Sequence, residues 1–186
     1  MENYYPNNQE TIQSALAIVQ NALKQNDLPD VQVQAAAEHM IDSGFELLVD
    51  SNSLMPISDN YILVEMSYLQ ASLNFEESIK KLSSQGLFPV FAHPERYGYL
   101  KQDRGDYSRM KDLGMLFQLN LLSLSGYYGK DVQKKAQHLL ENNQIDFLGS
   151  DIHNENHLNQ LKNIQISTKV LDKVIPLIAR TSYNFG

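Results

Sequence analysis

Five times along this chain an apolar run stops at a polar residue, passes through a loop and gives way to a segment with helical spacing of apolar positions. Strands separated by helices cannot pair as tight hairpins; they imply a parallel sheet with right-handed crossovers, so the chain is α/β. In such sheets the chemistry sits at the carboxyl ends of the strands. The residues at which the apolar runs stop are Glu38, Glu65, His93, Asn120 and the pair Asp151/His153.

A polar loop over Met1 to Asn8 precedes a helix over Gln9 to Gln25, whose apolar positions are Ile12, Ala15, Leu16, Val19, Ala22 and Leu23. Asn26 to Asp30 breaks it, and Val31 to Ala37 is expected to be a strand running into Glu38. A short helix over Phe45 to Val49 follows, then a strand over Asn60 to Met66 and an amphipathic helix over Phe75 to Gln85 stopped by Gly86. Leu87 to Ala92 reads as a buried strand ending at His93. Tyr107 to Leu113 is a helix stopped by Gly114, and Met115 to Leu119 a strand running into Asn120. Lys130 to Asn142 is helical, Asp146 to Gly149 is a short strand, and Lys169 to Ile178 is a last helix interrupted near Pro176.

At 186 residues, with no linker or low-complexity tract, the chain is expected to form a single domain over 1–186. No apolar run approaches the roughly 20 residues that span a bilayer, and no basic-then-apolar N-terminus suggests a secretory signal, so no membrane insertion and a cytoplasmic location are expected. The absence of cysteine excludes disulfides, thiolate metal ligands and a cysteine nucleophile. A formal charge of −7, from 15 basic and 22 acidic residues, argues against nucleic acid as the partner. It does not argue against a phosphorylated substrate, because bound metal reverses the local field.

Two glutamates, an aspartate and two histidines at successive strand ends form an oxygen/nitrogen ligand set suited to Mn, Fe, Zn or Mg. Asp151 and His153 are two apart, and in an extended segment both project to one side. Arg96, three residues beyond His93, offers the planar fork that binds a phosphoryl group through two bonds. Each residue also has a plainer reading. Glu38 and Glu65 also read as helix caps or lysine partners, and Arg96 as the partner of Glu95 or of a helix end. His39 and His157 read as supporting or surface residues, His138 as solvated, and Asn120 as an amide that bonds its loop.

Four stretches carry a resemblance. They are Phe-Ala-His-Pro-Glu-Arg-Tyr (91–97), Gln-Leu-Asn-Leu-Leu-Ser-Leu-Ser-Gly-Tyr-Tyr-Gly (118–129), Ile-Asp-Phe-Leu-Gly-Ser-Asp-Ile-His (145–153) and Ala-Ala-Ala-Glu (35–38). Together they resemble the metal-dependent protein-tyrosine phosphatases of bacterial capsule and exopolysaccharide loci, within the polymerase-and-histidinol-phosphatase (PHP) superfamily. The resemblance implies a distorted (β/α)7 TIM-like barrel holding two or three divalent metals, often manganese. It implies Glu38, Glu65, His93, Asp151 and His153 as metal ligands and Arg96 as the phosphoryl-binding catalytic residue, with His157 and Asn120 behind them. The implied reaction is attack of a metal-bound hydroxide on the phosphorus of phosphotyrosine, without a phosphoenzyme, on the tail of a cognate kinase controlling polysaccharide export.

The family opens with a strand carrying His-x-His, then Asp-Asp-Gly, then a strand ending in Thr-Pro-His, and none of these is in the chain. About five of seven βα units are therefore expected, with the first strand, first helix and second strand missing, weaker metal binding and impaired turnover. An open sheet edge would be left for a second copy or another chain to cover. Two alternatives share the same residues: a histidinol-phosphatase-like small-molecule phosphoesterase, and a non-catalytic remnant that still binds phosphate.

Overall fold

In the computed structural model, which describes residues 7–28 and 30–186, five parallel strands lie in the order β1-β2-β3-β4-β5. They are β1 (Glu38–Met40), β2 (Tyr61–Glu65), β3 (Phe88–Ala92), β4 (Leu116–Asn120) and β5 (Phe147–Gly149). The helices are α1 (Gln9–Gln25), α2 (Phe45–Asp50), α3 (Phe75–Ser84), α4 (Asp106–Asp112), α5 (Leu121–Leu124), α6 (Lys130–Glu141), α7 (Glu155–Lys162) and α8 (Thr168–Phe185). A 3-10 turn at Pro94–Arg96 follows β3 directly. The expected α/β class and the five-stranded parallel sheet are both present. Of the loop read over Met1 to Asn8, the first six residues lie outside the described residues, as does Pro29 in the break before β1.

Strand alternation decides which face is buried. In β2, Ile62 and Val64 are buried while Tyr61, Leu63 and Glu65 are half-exposed on the other side. Phe117 and Leu119 repeat the pattern in β4, and β3, in the middle, is buried from Pro89 to Ala92. The buried face packs under the helices in one cluster that includes Phe45, Ile79, Leu82, Phe91, Phe117, Leu139 and Leu140. Gly86 and Gly114 stand at φ 75° and 85° after α3 and α4, the left-handed conformation that ends a helix and that a side chain disfavours.

Two expectations need correction. Val31 to Ala37 is not a strand: pairing starts at Glu38, which is in register with Leu63. The alanines offer little side chain to pack, whereas His39 and Ile41 just beyond them are buried. Glu38 therefore opens its strand instead of closing it. The last helix is not interrupted at Pro176 but runs through it from Thr168 to Phe185. Pro176 and Asp172, whose carbonyl loses its amide donor, are both exposed residues, while Val174 and Leu177 anchor the helix on its buried side.

At the amino ends of the strands the second sheet face is closed by aromatics. Tyr61 packs against Phe88, Phe147 and Phe185, with ring centroids 5.3–5.9 Å apart. Helix α8 also covers the β5 edge, where Leu148 N–H donates to Thr181 Oγ1 at 3.0 Å. The carboxyl end of that face stays open.

Candidate metal and phosphate site

That open end is a cleft of about 450 Å3 lined by Glu38, Leu63, Ala92, His93, Gln118, Asn120 and the Gly149–His153 segment. Gly149 belongs to its floor by size, since a Cβ there would stand 2.7 Å from the Gln118 amide nitrogen.

Among the described residues, one group of side chains could hold a cation: Glu38, Glu65 and His93 each offer a ligand atom, all within 4.8 Å of one another. His93 Nε2 lies 3.2 Å from Glu38 Oε1 and 4.0 Å from Glu65 Oε2. The backbone fixes this ring. His93 is buried and sits at φ 35°, a left-handed conformation costing about 1–2 kcal/mol for a residue with a Cβ, held by its N–H to the Gln118 carbonyl at 2.8 Å and by the Pro94–Arg96 turn. Burial, followed by repulsion from Glu38, pushes the Glu65 carboxyl up to about 7, against the pull of His93 and Arg96. Two acids crowded beside an imidazole with nitrogen and oxygen donors only form a set that a divalent cation would relieve, and the donor chemistry fits one.

Asp151 and His153 border the same cleft but lie outside this three-residue group. Asp151 is at φ 50°, so the segment is not the extended one expected, although the two side chains still meet. Asp151 Oδ2 accepts from Arg96 Nη1 at 2.8 Å and from Asn120 Nδ2 at 2.9 Å. His153 is exposed, with Nδ1 2.9 Å from the Asp151 carbonyl oxygen and 3.3 Å from its Oδ1. His157, on α7, lies 3.2 Å from the same carbonyl through Nδ1. Arg96 does not pair with Glu95, and Glu38 and Glu65 face His93 instead of capping helices or meeting lysines.

Asn120 is more than a loop amide. Its Oδ1 accepts from Leu122 N–H at 2.9 Å and starts α5, while Nδ2 holds Asp151 and approaches the Tyr128 hydroxyl at 3.3 Å. His39 is neither a surface residue nor a ligand: it is buried, between the Leu63 carbonyl and the Met55 amide. His138 is half-buried rather than fully solvated and bonds Asn142.

Three residues that strand ends do not reveal complete the surroundings. Glu95 is fully buried, accepts from Ser123 Oγ at 2.6 Å and Asn120 N–H at 3.2 Å, and burial raises its pKa. The rings of Tyr68 and Tyr128 flank Arg96. Glu95 and Tyr128 lie inside the stretches that carry the resemblance, which was the one available signal; Tyr68 had none.

A family model for capsular polysaccharide synthesis, CpsB/CapC, matches residues 2–174. The tyrosine-protein phosphatase YwqE of Bacillus subtilis (strain 168) is 28% identical over 151 residues, which is 81% of this chain and 59% of that protein. The tyrosine-protein phosphatase CpsB of Streptococcus pneumoniae is 28% identical over 99 residues, 50% of this chain and 41% of its own length. The chain thus spans about half the length of these curated relatives. A chain from the crystal structures of YwqE and CpsB, described as unique metal-dependent tyrosine phosphatases, matches the fold with a TM-score of 0.74 at 24% identity, covering 97% of this chain and 78% of that one.

Proposed function

The chain belongs to the CpsB/CapC family of capsular polysaccharide synthesis, and from that premise we propose that it is a metal-dependent phosphotyrosine-protein phosphatase. The observation that carries this reading is the meeting of Glu38, Glu65 and His93 within 4.8 Å, in a cleft shared with Asp151, whose carboxylate holds Arg96. The relatives at 28% identity are themselves named tyrosine-protein phosphatases, which supports the substrate class.

In this reading Glu38, Glu65 and His93 hold a divalent metal, with manganese the proposed ion, and Asp151 and His153 contribute from the facing wall. Bound metal supplies Lewis acidity toward phosphoryl oxygens and a more acidic water. Arg96 binds the phosphoryl group with its planar fork and offsets the charge that builds on the equatorial oxygens. Asn120 orients Asp151, and Asp151 in turn orients Arg96. His157 supports the turn that presents Asp151.

The reading extends to a cytoplasmic setting, a cognate tyrosine kinase tail as substrate, and one domain whose five strands are units of a (β/α)7 barrel. No helix among the described residues is long and apolar enough to cross a membrane. Among the described residues β1 has one strand neighbour, and a second copy along that edge belongs to the same reading.

The test is hydrolysis of a phosphotyrosine peptide and of histidinol phosphate, with manganese and with chelator. Manganese-dependent turnover of the peptide over histidinol phosphate is expected. The reverse preference would point to a small-molecule phosphoesterase, and chelator-insensitive phosphopeptide binding without turnover to a non-catalytic module.

A further inference from the structure

We infer that Tyr68 and Tyr128 are positioning residues that fix the Arg96 guanidinium for phosphoryl binding; the inference rests on the phosphatase reading above. The Arg96 Cζ lies 5.0 Å from the Tyr68 ring centroid and 4.4 Å from that of Tyr128, both within cation–π range. The three residues come from three different strand-end loops: Tyr68 after β2, Arg96 after β3, and Tyr128 between α5 and α6. Their meeting is a product of the fold and not of local sequence.

Each ring is itself held. Tyr68 stacks on Tyr97 at 5.3 Å and 23°, and Tyr97 stacks on the core residue Phe91 at 4.9 Å and 9°. Tyr97 is further anchored by the Met66 N–H, which donates to its hydroxyl at 3.1 Å. An aromatic column thus runs from the core to the rim. Tyr128 is tied through its hydroxyl to Asn120 Nδ2 at 3.3 Å, the same amide group that donates to Asp151 at 2.9 Å. Asn120 therefore sets both a ring and the carboxylate that touch Arg96.

A free arginine samples many rotamers, and bidentate binding needs one of them. Asp151 engages a single guanidinium nitrogen, Nη1. Ring contacts attract the cation without using an N–H, so they can fix its plane and leave the remaining donors for a phosphoryl group. Tyr68 is 46% exposed, so its ring does not serve mainly to fill the core.

The experiment uses the full chain with manganese and compares Tyr68→Leu, Tyr128→Leu and the corresponding Phe variants. The readouts are KM and kcat for a phosphotyrosine peptide, the inhibition constant of inorganic phosphate, and melting temperature. Each Leu variant is expected to raise KM and the phosphate inhibition constant about three- to tenfold, with a smaller change in kcat and an unchanged melting temperature. Phe should restore most of the loss, since it keeps the ring face. In an Arg96→Met background Tyr128→Leu should add nothing, because its target is gone, and Tyr68→Leu should add less than in wild type, keeping only what its stacking on His93 contributes.

Leu variants that match wild type, or Phe variants as weak as Leu, would overturn the positioning role while leaving the phosphatase reading intact. A wild-type chain that neither turns over the peptide nor binds inorganic phosphate would overturn both.

Discussion

Arg96 and Asp151, 55 positions apart, meet at 2.8 Å between Nη1 and Oδ2, and the same carboxylate oxygen takes a second bond from Asn120. The pair joins the turn after β3 to the segment after β5, on the two sides of β4. A lysine at 96 would keep the charge but lose the flat two-pronged geometry. For the metal-loaded chain, both Arg96→Lys and Arg96→Ala are expected to lower kcat/KM on a phosphotyrosine peptide by about 100- to 1,000-fold. A lysine variant within about threefold of wild type would show that charge alone suffices.

Manganese should raise the melting temperature, and a chelator should reverse the rise. Metal at about 100 times its Kd adds about 2.7 kcal/mol to stability. His93→Ala should abolish the shift and Glu38→Gln reduce it, whereas His138→Gln, on α6 and outside the three-residue group, should leave it unchanged. Glu65 carries a carboxyl pushed up to about 7, so at lower pH bound metal must displace its proton. Apparent manganese affinity, read by calorimetry, should therefore climb as pH rises through about 7. An affinity flat from acid to neutral pH would remove Glu65 from the site.

Much of this arrangement was readable because the strands obey a simple period. Ile62 and Val64 point one way and Glu65 ends the run, and the same logic locates His93 and Asn120. β1 resisted it: a three-residue edge strand has too few alternations to register, and Val31 and Val33 mimic one upstream. The turn at Asp151 was hidden for another reason, since a positive φ at an aspartate leaves no mark in composition. Tyr68 was unreadable because its partner, Arg96, lies on a different loop and only the parallel pairing of β2 with β3 brings them together. Pro176 was over-read, because a proline on a helix's wet side loses little.

His39 makes a prediction about protons. Met55 N–H donates to its Nε2 at 3.3 Å, so that nitrogen must be bare, and the proton belongs on Nδ1, 3.2 Å from the Leu63 carbonyl. Burial lowers the pKa from 6.5, despite the raising effect of the carbonyl. A group with a depressed folded pKa that is neutral when folded binds fewer protons than in the unfolded chain, so its contribution is present above 6.5 and lost as pH falls through the folded value. Ring nitrogen shifts should report the Nδ1–H tautomer at neutral pH, and denaturant unfolding should show stability falling below about 6.5, a loss smaller in His39→Gln. A charged ring at neutral pH would sink this account.

Glu95 calls for the opposite sign. Its side chain is fully buried, receives Ser123 Oγ–H and Asn120 N–H on one oxygen, and has its pKa raised by burial above 4.5. The folded chain therefore holds a proton that the unfolded chain releases near 4.5, and stability present below that value is lost as pH rises through the folded pKa. Glutamine keeps the accepting oxygen and carries no charge, so Glu95→Gln should fold normally and flatten that loss. Glu95→Ala leaves a void and strands two donors, and is expected to cost about 2–4 kcal/mol in denaturant unfolding. If the glutamine variant is destabilised as much as the alanine one, the buried group is an ionised carboxylate and the neutral-acid account fails.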